Sequence, residues 1–358
     1  MTLTQADLTR TLELFWHPVC TASELAAAGP PGGADGRAGR GPLGVRLLGR
    51  DIVVAELADG TLTALDDRCL HRSTRLSAGW VDGDCLRCPY HGWAWDRGGR
   101  CVEIPSMPEG PIPARAIIHS YSAQLAYGLV WVRLDDRANT RLPACPAWDD
   151  PEFRVIPGEP YTWPVAAARR VENFVDLSHF AWVHAGTLGR RDEPVPPLPE
   201  IARVDGELRF SYDPPEFDPS AAAMYGESAY RMPIPCTVNI DFSMGPGVRR
   251  TLWMTASPIE PDRSRAFWMM ARTDDLDGDD EPHRAFQSIV LAEDEPVVCA
   301  QVPGELPLDA STELSVRTDK VSNTYRRWIR ELVEANVELG PSGVEAALDA
   351  RSATVVGP

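Results

Sequence analysis

The sequence contains no apolar run long enough to span a membrane, and residues 1–14 carry no hydrophobic signal core. Basic residues are also few: 35 Lys and Arg stand against 52 Asp and Glu, which gives a net charge of −17. A chain this acidic should repel nucleic acid and anionic membrane surfaces. We therefore expect a soluble protein without a nucleic-acid or membrane partner.

Cysteine and histidine are scarce as well, at eight and seven residues in 358. Eight scattered cysteines do not make the disulfide framework of a small secreted domain, so the expected compartment is the reducing cytoplasm. The hydrophobic content of 44% and the charged content of 24% are typical of globular proteins. The length allows one large domain or two ordinary ones.

Two cysteine–histidine pairs stand out in this histidine-poor chain. Cys69 and His71 form the first, and Cys88 and His91 follow after sixteen residues. Two thiolates and two imidazoles are the ligands of a [2Fe–2S] cluster with sulfur ligands on one iron and nitrogen ligands on the other. Each pair should lie on a tight loop, because its two side chains must reach different irons.

A structural zinc site is the alternative interpretation of the same stretch. Cys85 and Cys88 form a CxxC pair, and Cys69 and Cys101 would complete four thiolates. That arrangement leaves both histidines of the pairs without a role. If the cluster forms instead, we expect Cys85 and Cys101 to be packing residues of the core.

A second pattern follows in a predicted helix over residues 166–184. Asn173, Asp176 and His179 recur at every third position, so they form a stripe on one side. His184 comes five residues after His179, about 140° around an ideal helix. The two histidines can share a metal only if the helix bulges or ends between them. A buried helix with two hydrogen-bonded histidines is the alternative.

The two patterns, in this order, resemble those of the Rieske non-haem iron oxygenases. CxH followed by CPYHGW resembles their cluster site, and N-x-x-D-x-x-H-x4-H resembles their catalytic-domain motif. The first resemblance implies a Rieske [2Fe–2S] cluster with Cys69 and Cys88 on one iron and His71 and His91 on the other.

The second resemblance implies a mononuclear Fe(II) bound by His179, His184 and a carboxylate on a helix near the C-terminus. Two histidines and one carboxylate leave one face of the metal open for O₂ and substrate. We choose Asp294 as the carboxylate, with Glu293 and Glu295 as the neighbours that could replace it.

The resemblance also implies roles for the two polar residues of the stripe. Asp176 would bridge His179 of one subunit and His91 of the next, and so couple the two iron sites. Asn173 would lie near the mononuclear iron. A helix-surface aspartate without a role is the alternative for Asp176.

Short apolar runs separated by turn residues predict an all-β domain over residues 15–140, preceded by a short helix within residues 1–14. Residues 141–340 begin with a proline-rich connector and contain both strands and helices. Residues 341–358 are predicted to be a flexible tail, and residues 26–42, rich in Gly, Ala and Pro, a surface loop. The fold class is α+β, and the resemblance implies a catalytic domain with an antiparallel sheet wrapped by helices.

By resemblance the protein is the terminal oxygenase of a multicomponent system, closest in layout to the homotrimeric vanillate and dicamba demethylases. A ferredoxin or flavin reductase, drawing on NAD(P)H, would reduce the cluster, which would pass electrons to Fe(II) for O₂ activation. We expect a monooxygenase that hydroxylates or dealkylates a small, mostly apolar, aromatic or polycyclic substrate. Residues 201–272 carry methionines and tryptophans that would line its pocket or fill the core: Met232, Met244, Met254, Met269, Met270, Trp253 and Trp268.

Two other classes of protein fit parts of the sequence. An electron-transfer protein would use the cluster alone, but it leaves the helix with His179 and His184 unexplained. A zinc-stabilised binding protein without redox chemistry would use the cysteines alone. The metal content of the purified protein separates the three classes.

Overall fold

In the computed structural model of the protein, the described residues are 2–28, 40–212 and 227–349. The predicted loop at residues 26–42 and the predicted tail therefore lie partly outside the described residues. The chain divides into two compact units, Glu13–Arg137 and a second unit that combines Met1–Leu12 with Ala138–Pro358. None of the described helices combines the length and apolar character needed to cross a membrane.

The chain begins with helix α1 (Gln5–Leu12), which belongs to the second unit. Leu8 and Leu12 are buried, and Thr11 accepts a hydrogen bond of 3.1 Å from Asn336. The sequence predicts this helix as the N-terminal part of the all-β domain of residues 15–140, whereas it belongs to the other unit. The apolar side of α1 needs a partner surface, which the long C-terminal helix provides.

The Glu13–Arg137 unit is built from antiparallel strands. Its described elements are β1 (His17–Thr21), α2 (Ala22–Ala27), β2 (Arg40–Leu47), β3 (Arg50–Glu56), β4 (Leu62–Asp66), β5 (Trp80–Asp82), β6 (Cys85–Arg87), β7 (Ala94–Asp96), β8 (Cys101–Glu103), β9 (Ser120–Ala126) and β10 (Leu129–Arg133). One sheet has the order β1-β10-β9-β4-β3-β2, and a smaller one has the order β5-β6-β7-β8.

The core of this unit lies directly beneath the predicted cluster ligands. Val53 of β3 and Leu65 of β4 are cross-strand partners and are fully buried. They belong to one apolar cluster with Trp95, Cys69 and Cys88. Burial of the two cysteines is therefore a consequence of how the sheets pack.

The second unit is organised around one antiparallel sheet. Its strands are β11 (Arg154–Pro157), β12 (Tyr161–Trp163), β13 (Ala202–Val204), β14 (Glu207–Tyr212), β15 (Glu227–Pro233), β16 (Thr237–Ser243), β17 (Arg249–Glu260) and β18 (Arg263–Arg272). The order is β11-β18-β17-β16-β15-β14-β13, with β12 also paired to β18. The fold is thus α+β, as predicted. Strands β13 and β14 form a hairpin that turns at Asp205–Gly206, and β15 and β16 form one that turns at Ile234–Cys236.

Helices pack against this sheet and against one another. They are α3 (Ala167–Val175), α4 (Phe180–Val183), α5 (Glu281–Val298), α6 (Lys320–Leu339) and α7 (Pro341–Asp349). Helix α3 contacts β16, β17 and β18 as well as α5 and α6, so it lies at the centre of the unit. Helix α4 contacts α5.

Helix α7 overturns part of the predicted tail. Val344 is fully buried, and the indole N–H of Trp328 in α6 donates to the carbonyl of Ala347. The prediction of a flexible tail was wrong for residues 341–349, because the apolar side of α7 packs on α6. Residues 350–358 lie outside the described part of the chain.

Candidate active site

The two predicted cluster-binding loops share one backbone geometry. The N–H of Cys69 and that of Cys88 each donate to the carbonyl five residues later, at 2.9 Å in both loops. Each cysteine carbonyl accepts the N–H four residues later, from Ser73 at 2.9 Å and from Gly92 at 3.0 Å. Both of these residues have positive φ, +59° and +71°. Each cysteine–histidine pair therefore lies on a tight turn, as the sequence predicts.

The four predicted ligands separate into a sulfur side and a nitrogen side. Cys69 and Cys88 are 1% and 2% exposed and interact with each other, and burial raises the pKa of the Cys69 thiol to about 11. The rings of His71 and His91 lie 4.3 Å apart between centroids, and Trp93 stacks on His71 at 4.7 Å. Nδ1 of His71 is buried without a hydrogen-bond partner among the described residues. An orphaned imidazole nitrogen and a pair of interacting thiols on two such loops fit the ligand set of an iron–sulfur cluster.

A four-thiolate zinc site does not assemble. Among the described residues, one group of three or more metal-ligating side chains has its donor atoms mutually within 4.8 Å, and that group contains no cysteine. Sγ of Cys101 instead contacts the carbonyl of Glu103 at 3.5 Å, and the residue is buried in the core. The arrangement favours the cluster over the zinc alternative.

The described group of converging metal-ligating side chains consists of His179, His184 and Asp294. Helix α3 ends at Val175, and the short α4 separates the two histidines, with His179 just before it and His184 just after it. This break is the condition under which histidines five residues apart can converge. Nε2 of His179 and Nε2 of His184 lie 3.4 and 3.2 Å from Oδ1 of Asp294. Two imidazoles and one carboxylate with an open side form a typical ferrous site.

A hydrogen bond at Nδ1 holds each of the two imidazole rings in place. Nδ1 of His179 donates to the backbone carbonyl of Asp176 at 2.5 Å, and Nδ1 of His184 donates to Glu293 at 2.7 Å. The hydroxyl of Thr187 donates to the same Glu293 oxygen at 2.7 Å. With the protons on Nδ1, the lone pairs of both Nε2 atoms face the centre of the site, which fits a metal ion.

The charges of the site are strongly coupled. Burial raises the pKa of Asp294, but its contacts with the two imidazoles and the positive charge of nearby Arg170 lower it far below its usual range. For His184, burial lowers the pKa, and the contacts with Asp294 and Glu293 more than offset this, so the net shift is upward. The iron-free site therefore carries an ionised carboxylate.

The two polar residues of the sequence stripe both lie next to members of this site. Nδ2 of Asn173 donates to Oδ1 of Asp294 at 3.1 Å. The Asp176 side chain is 36% exposed, and its Oδ2 lies 3.8 Å from Nδ1 of His179. The acceptor for His179 is thus the carbonyl of Asp176, while its carboxylate reaches the surface. Its bridging role stays a prediction.

An apolar pocket opens beside the three converging side chains. Its wall includes Phe174, Tyr212, Tyr230, Phe242 and Leu252, together with Gln287 of α5. Gln287 is 4% exposed and lies among these apolar groups. The methionines and tryptophans named as pocket candidates are absent from the described lining. The buried ones among them, including Trp253 and Met254, are core residues of the sheet.

Three residues of the site escaped the sequence analysis. Glu293 was named only as an alternative iron ligand, whereas it holds His184. Arg170 and Gln287 carry no local signal, because an arginine or a glutamine in an amphipathic helix usually faces solvent. The run of three acidic residues at 293–295 was the available clue, since such residues must point to different faces of a helix.

Comparisons with known proteins agree with this arrangement. Residues 15–122 match the Rieske [2Fe–2S] domain family, and residues 163–335 match the vanillate O-demethylase oxygenase C-terminal domain. The chain is 41% identical over 342 residues to methylxanthine N1-demethylase NdmA of Pseudomonas putida, covering 94% of each protein. It is 41% identical over 336 residues to methylxanthine N3-demethylase NdmB of the same organism, covering 91% of each.

Solved structures give the same result. The structure of NdmA from Pseudomonas putida CBB5 with caffeine has a TM-score of 0.89 at 40% identity, covering 97% of this chain and 98% of that one. The structure of dicamba monooxygenase bound to dicamba has a TM-score of 0.75 at 21% identity, covering 91% and 98%. The second likeness concerns the fold alone.

Proposed function

Because this chain belongs to the Rieske non-haem iron oxygenases, as a terminal oxygenase component, we propose that it removes a methyl group oxidatively from a neutral, N-methylated heteroaromatic compound of the methylxanthine class. Its cofactors are a Rieske [2Fe–2S] cluster and a mononuclear iron, with O₂ as co-substrate. Members of this family take electrons from a separate reductase or ferredoxin.

We assign residues 15–140 to the cluster domain and residues 141–340 to the catalytic domain. Cys69, Cys88, His71 and His91 would hold the cluster, and His179, His184 and Asp294 the mononuclear iron. When bound, the cluster supplies single electrons, and the ferrous ion supplies an open coordination face for O₂. The chain itself anchors both ligand histidines through Nδ1, holds Asp294 ionised and surrounds the substrate with apolar side chains that exclude water.

The main support for this substrate class is the composition of the pocket at the iron site. Aromatic and aliphatic side chains form its walls, and Gln287 offers one amide donor and acceptor. A planar purine dione can stack on the aromatic walls and hydrogen-bond to an amide through its ring carbonyl. Two relatives at 41% identity are named methylxanthine demethylases.

A carboxylated substrate such as a methoxybenzoate fits this pocket less well. The described lining of the pocket contains one arginine, Arg190. Its guanidinium forms an ion pair with Asp192 at 2.7 Å. Glu193 also lines the pocket. An anionic substrate would need a buried cation to offset its desolvation. The match to the vanillate O-demethylase domain therefore describes the family rather than the substrate.

We also propose a cytoplasmic homotrimer in which His91 of one protomer meets Asp176 of the next. Support comes from exposure: His91 lies at the surface of its unit, and the Asp176 carboxylate is 36% exposed. A carboxylate between two imidazoles would fix their orientation and connect the two iron sites.

The test measures O₂ uptake and formaldehyde release with a surrogate NADH-dependent reductase. Caffeine, theobromine, vanillate and dicamba form the panel. Formaldehyde from a methylxanthine, together with the corresponding N-demethylated product, supports the proposal. Release from vanillate or dicamba alone would contradict the assignment of a neutral N-methyl substrate.

A matched pair of variants shows whether the described pocket is the site used. Gln287→Leu removes the amide but keeps the size of the side chain, so we expect KM for the methylxanthine to rise while iron content stays unchanged. Ser288→Ala, at the next position on the exposed side of α5, is the control and should behave as wild type. The same KM in Gln287→Leu as in Ser288→Ala would mean that the substrate does not bind in the described pocket.

A further inference from the structure

Arg170 in α3 is a fully buried arginine, with 0% exposure. Its guanidinium carbon lies 5.6, 4.8 and 4.8 Å from the ring centroids of Tyr161, Trp163 and Phe174. A guanidinium stays charged in proteins, so its desolvation must be offset by nearby groups. Aromatic faces offset part of this cost, and polar partners must supply the rest.

The polar partners of Arg170 lead directly to the iron site. Nε donates to the hydroxyl of Tyr161 at 2.6 Å, and Nη1 donates to Oδ1 of Asn173. The same Nη1 lies 3.7 Å from Oδ2 of Asp294. Among the described residues, Asp294 is the carboxylate within ion-pair distance of this guanidinium.

The contacts divide the two oxygens of Asp294 between different partners. Oδ1 faces Nε2 of both histidines and the amide of Asn173, whereas Oδ2 faces Arg170. Arg170 can only donate hydrogen bonds, so the Asn173 oxygen must turn toward it. The Asn173 amino group is thereby left to donate to Oδ1.

We propose that Arg170 is a positioning residue of the mononuclear centre. It orients Asn173 and holds Oδ2 of Asp294, so that the carboxylate presents Oδ1 alone to the metal. This inference rests on the assignment of Asp294 as an iron ligand. Rotation of the carboxylate is restrained from both ends, by Asn173 at Oδ1 and by Arg170 at Oδ2.

The test compares Arg170→Met and Arg170→Lys with wild type by EPR of the ferrous nitrosyl complex, recorded with the cluster oxidised and therefore silent. Fe(II) titration of mononuclear-iron-depleted protein gives the affinity. We expect Arg170→Met to give a mixed or altered line shape and an affinity about 10- to 100-fold weaker. Arg170→Lys keeps the charge but lacks the planar fork, so its line shape should stay mixed.

Two results would overturn the proposal. A wild-type line shape and affinity in Arg170→Met would mean that Asp294 is oriented without Arg170. Tighter iron binding by Arg170→Met, with full recovery in Arg170→Lys and an unchanged line shape, would mean that only the charge of Arg170 matters.

The neighbouring arginine provides the matched control. Arg169 is also buried, at 2% exposure, but its ion-pair partners are Glu313 at 2.6 Å and Glu172 at 3.5 Å rather than Asp294. Arg326 bonds Glu313 and Glu172 as well, so Arg169→Met leaves neither carboxylate alone. Arg169→Met should lower thermal stability without changing the nitrosyl signal.

Tyr161→Phe covers the case in which the Arg170 variants do not fold. It removes the acceptor for Nε but keeps the aromatic ring, and it leaves Asn173 and Asp294 untouched. The same change in line shape, at smaller amplitude, is expected, and a wild-type line shape would contradict the proposal. Retention of the nitrosyl signal in Asp294→Ala would contradict the ligand assignment instead, so the two failures are distinguishable.

Discussion

Glu293 accepts a hydrogen bond of 2.7 Å from Nδ1 of His184, although the two residues are 109 positions apart in the chain. The next residue, Asp294, faces Nε2 of the same imidazole at 3.2 Å. Adjacent acids of α5 therefore approach opposite nitrogens of one ring. Under the proposed assignment, Glu293 orients a metal ligand and Asp294 binds the metal.

The first prediction concerns Glu293→Gln. The amide oxygen can still accept from Nδ1 of His184, but the negative charge is lost, so the ring becomes a weaker base. We expect Fe(II) affinity at the mononuclear site to fall about 10-fold, with the cluster unaffected. Glu295→Gln is the control, because Glu295 lines a groove beside Tyr161 and Trp163 rather than the iron pocket. An equal loss of Fe(II) affinity in both variants would mean that Glu293 has no specific role at the mononuclear site.

The second prediction separates the two iron centres. Asp294→Ala and His179→Ala each remove one of three proposed ligands, so the mononuclear site should lose its iron. Iron content should fall from about three to about two atoms per chain, with the Rieske EPR signal retained. Loss of the cluster signal in either variant would show that the two sites are not independent.

Much of this arrangement was predicted from the two sequence motifs together with their resemblance to those of the Rieske non-haem iron oxygenases. The cluster ligands form two short local motifs, so their grouping needed no knowledge of the tertiary structure. The helix break between His179 and His184 followed as a condition of shared metal binding. The functions of Glu293 and Arg170 could not be predicted, because they depend on the packing of α5 against α3 and α4, which brings together residues more than 100 positions apart.

The docking of α1 and α7 on α6 was missed for the same reason. Each is a short segment with a few apolar residues, which an isolated sequence does not distinguish from a mobile terminus. Their partner surface exists only after α6 has folded. Local patterns thus predicted elements and motifs, whereas contacts between distant elements needed the structure.

The third prediction concerns Asp176→Asn. The amide can still accept from the N–H of Ser178, as Oδ1 does at 2.8 Å, so the local fold should persist. The carboxylate that would connect His179 to His91 of a neighbouring protomer is lost. Both metals should stay bound, while turnover and single-turnover cluster oxidation slow about 10- to 100-fold.

Asp192→Asn is the control for Asp176→Asn, because it alters an exposed acid paired with Arg190. It should leave the rate of cluster oxidation unchanged. Wild-type turnover in Asp176→Asn would remove the proposed bridge between protomers. A trimeric mass in solution, measured by light scattering, checks the assembly independently.

The fourth prediction concerns Gly189, which follows α4 and lines the pocket. A Cβ at this position would lie 2.1 Å from the carbonyl oxygen of Phe180, too close for the loop to keep its course. The loop is tied to the site because the N–H of Gly189 donates to the carbonyl of His184 at 3.0 Å. Gly189→Ala should therefore lower the free energy of unfolding by about 1–3 kcal/mol and reduce iron occupancy. Calorimetry and iron analysis test both effects.

The fifth prediction is the pH dependence of Fe(II) binding. In the iron-free site the pKa of His184 is raised: burial lowers it, but the contacts with Asp294 and Glu293 outweigh burial. Iron binds the neutral imidazole, so binding below this pKa must release a proton. The apparent affinity should be constant at higher pH and then fall about tenfold per pH unit as the pH drops below the raised pKa.

Glu293→Gln tests whether His184 is the group that causes this pH dependence. Without the carboxylate the pKa of His184 drops, so the imidazole stays neutral to lower pH and the fall in affinity begins later. The variant should bind iron more weakly than wild type at alkaline pH but lose less affinity on acidification, so the two titration curves converge. Parallel curves would mean that the proton released on binding comes from a group that Glu293 does not contact. Anaerobic Fe(II) titrations across the pH range, on protein with its cluster intact, decide between these outcomes.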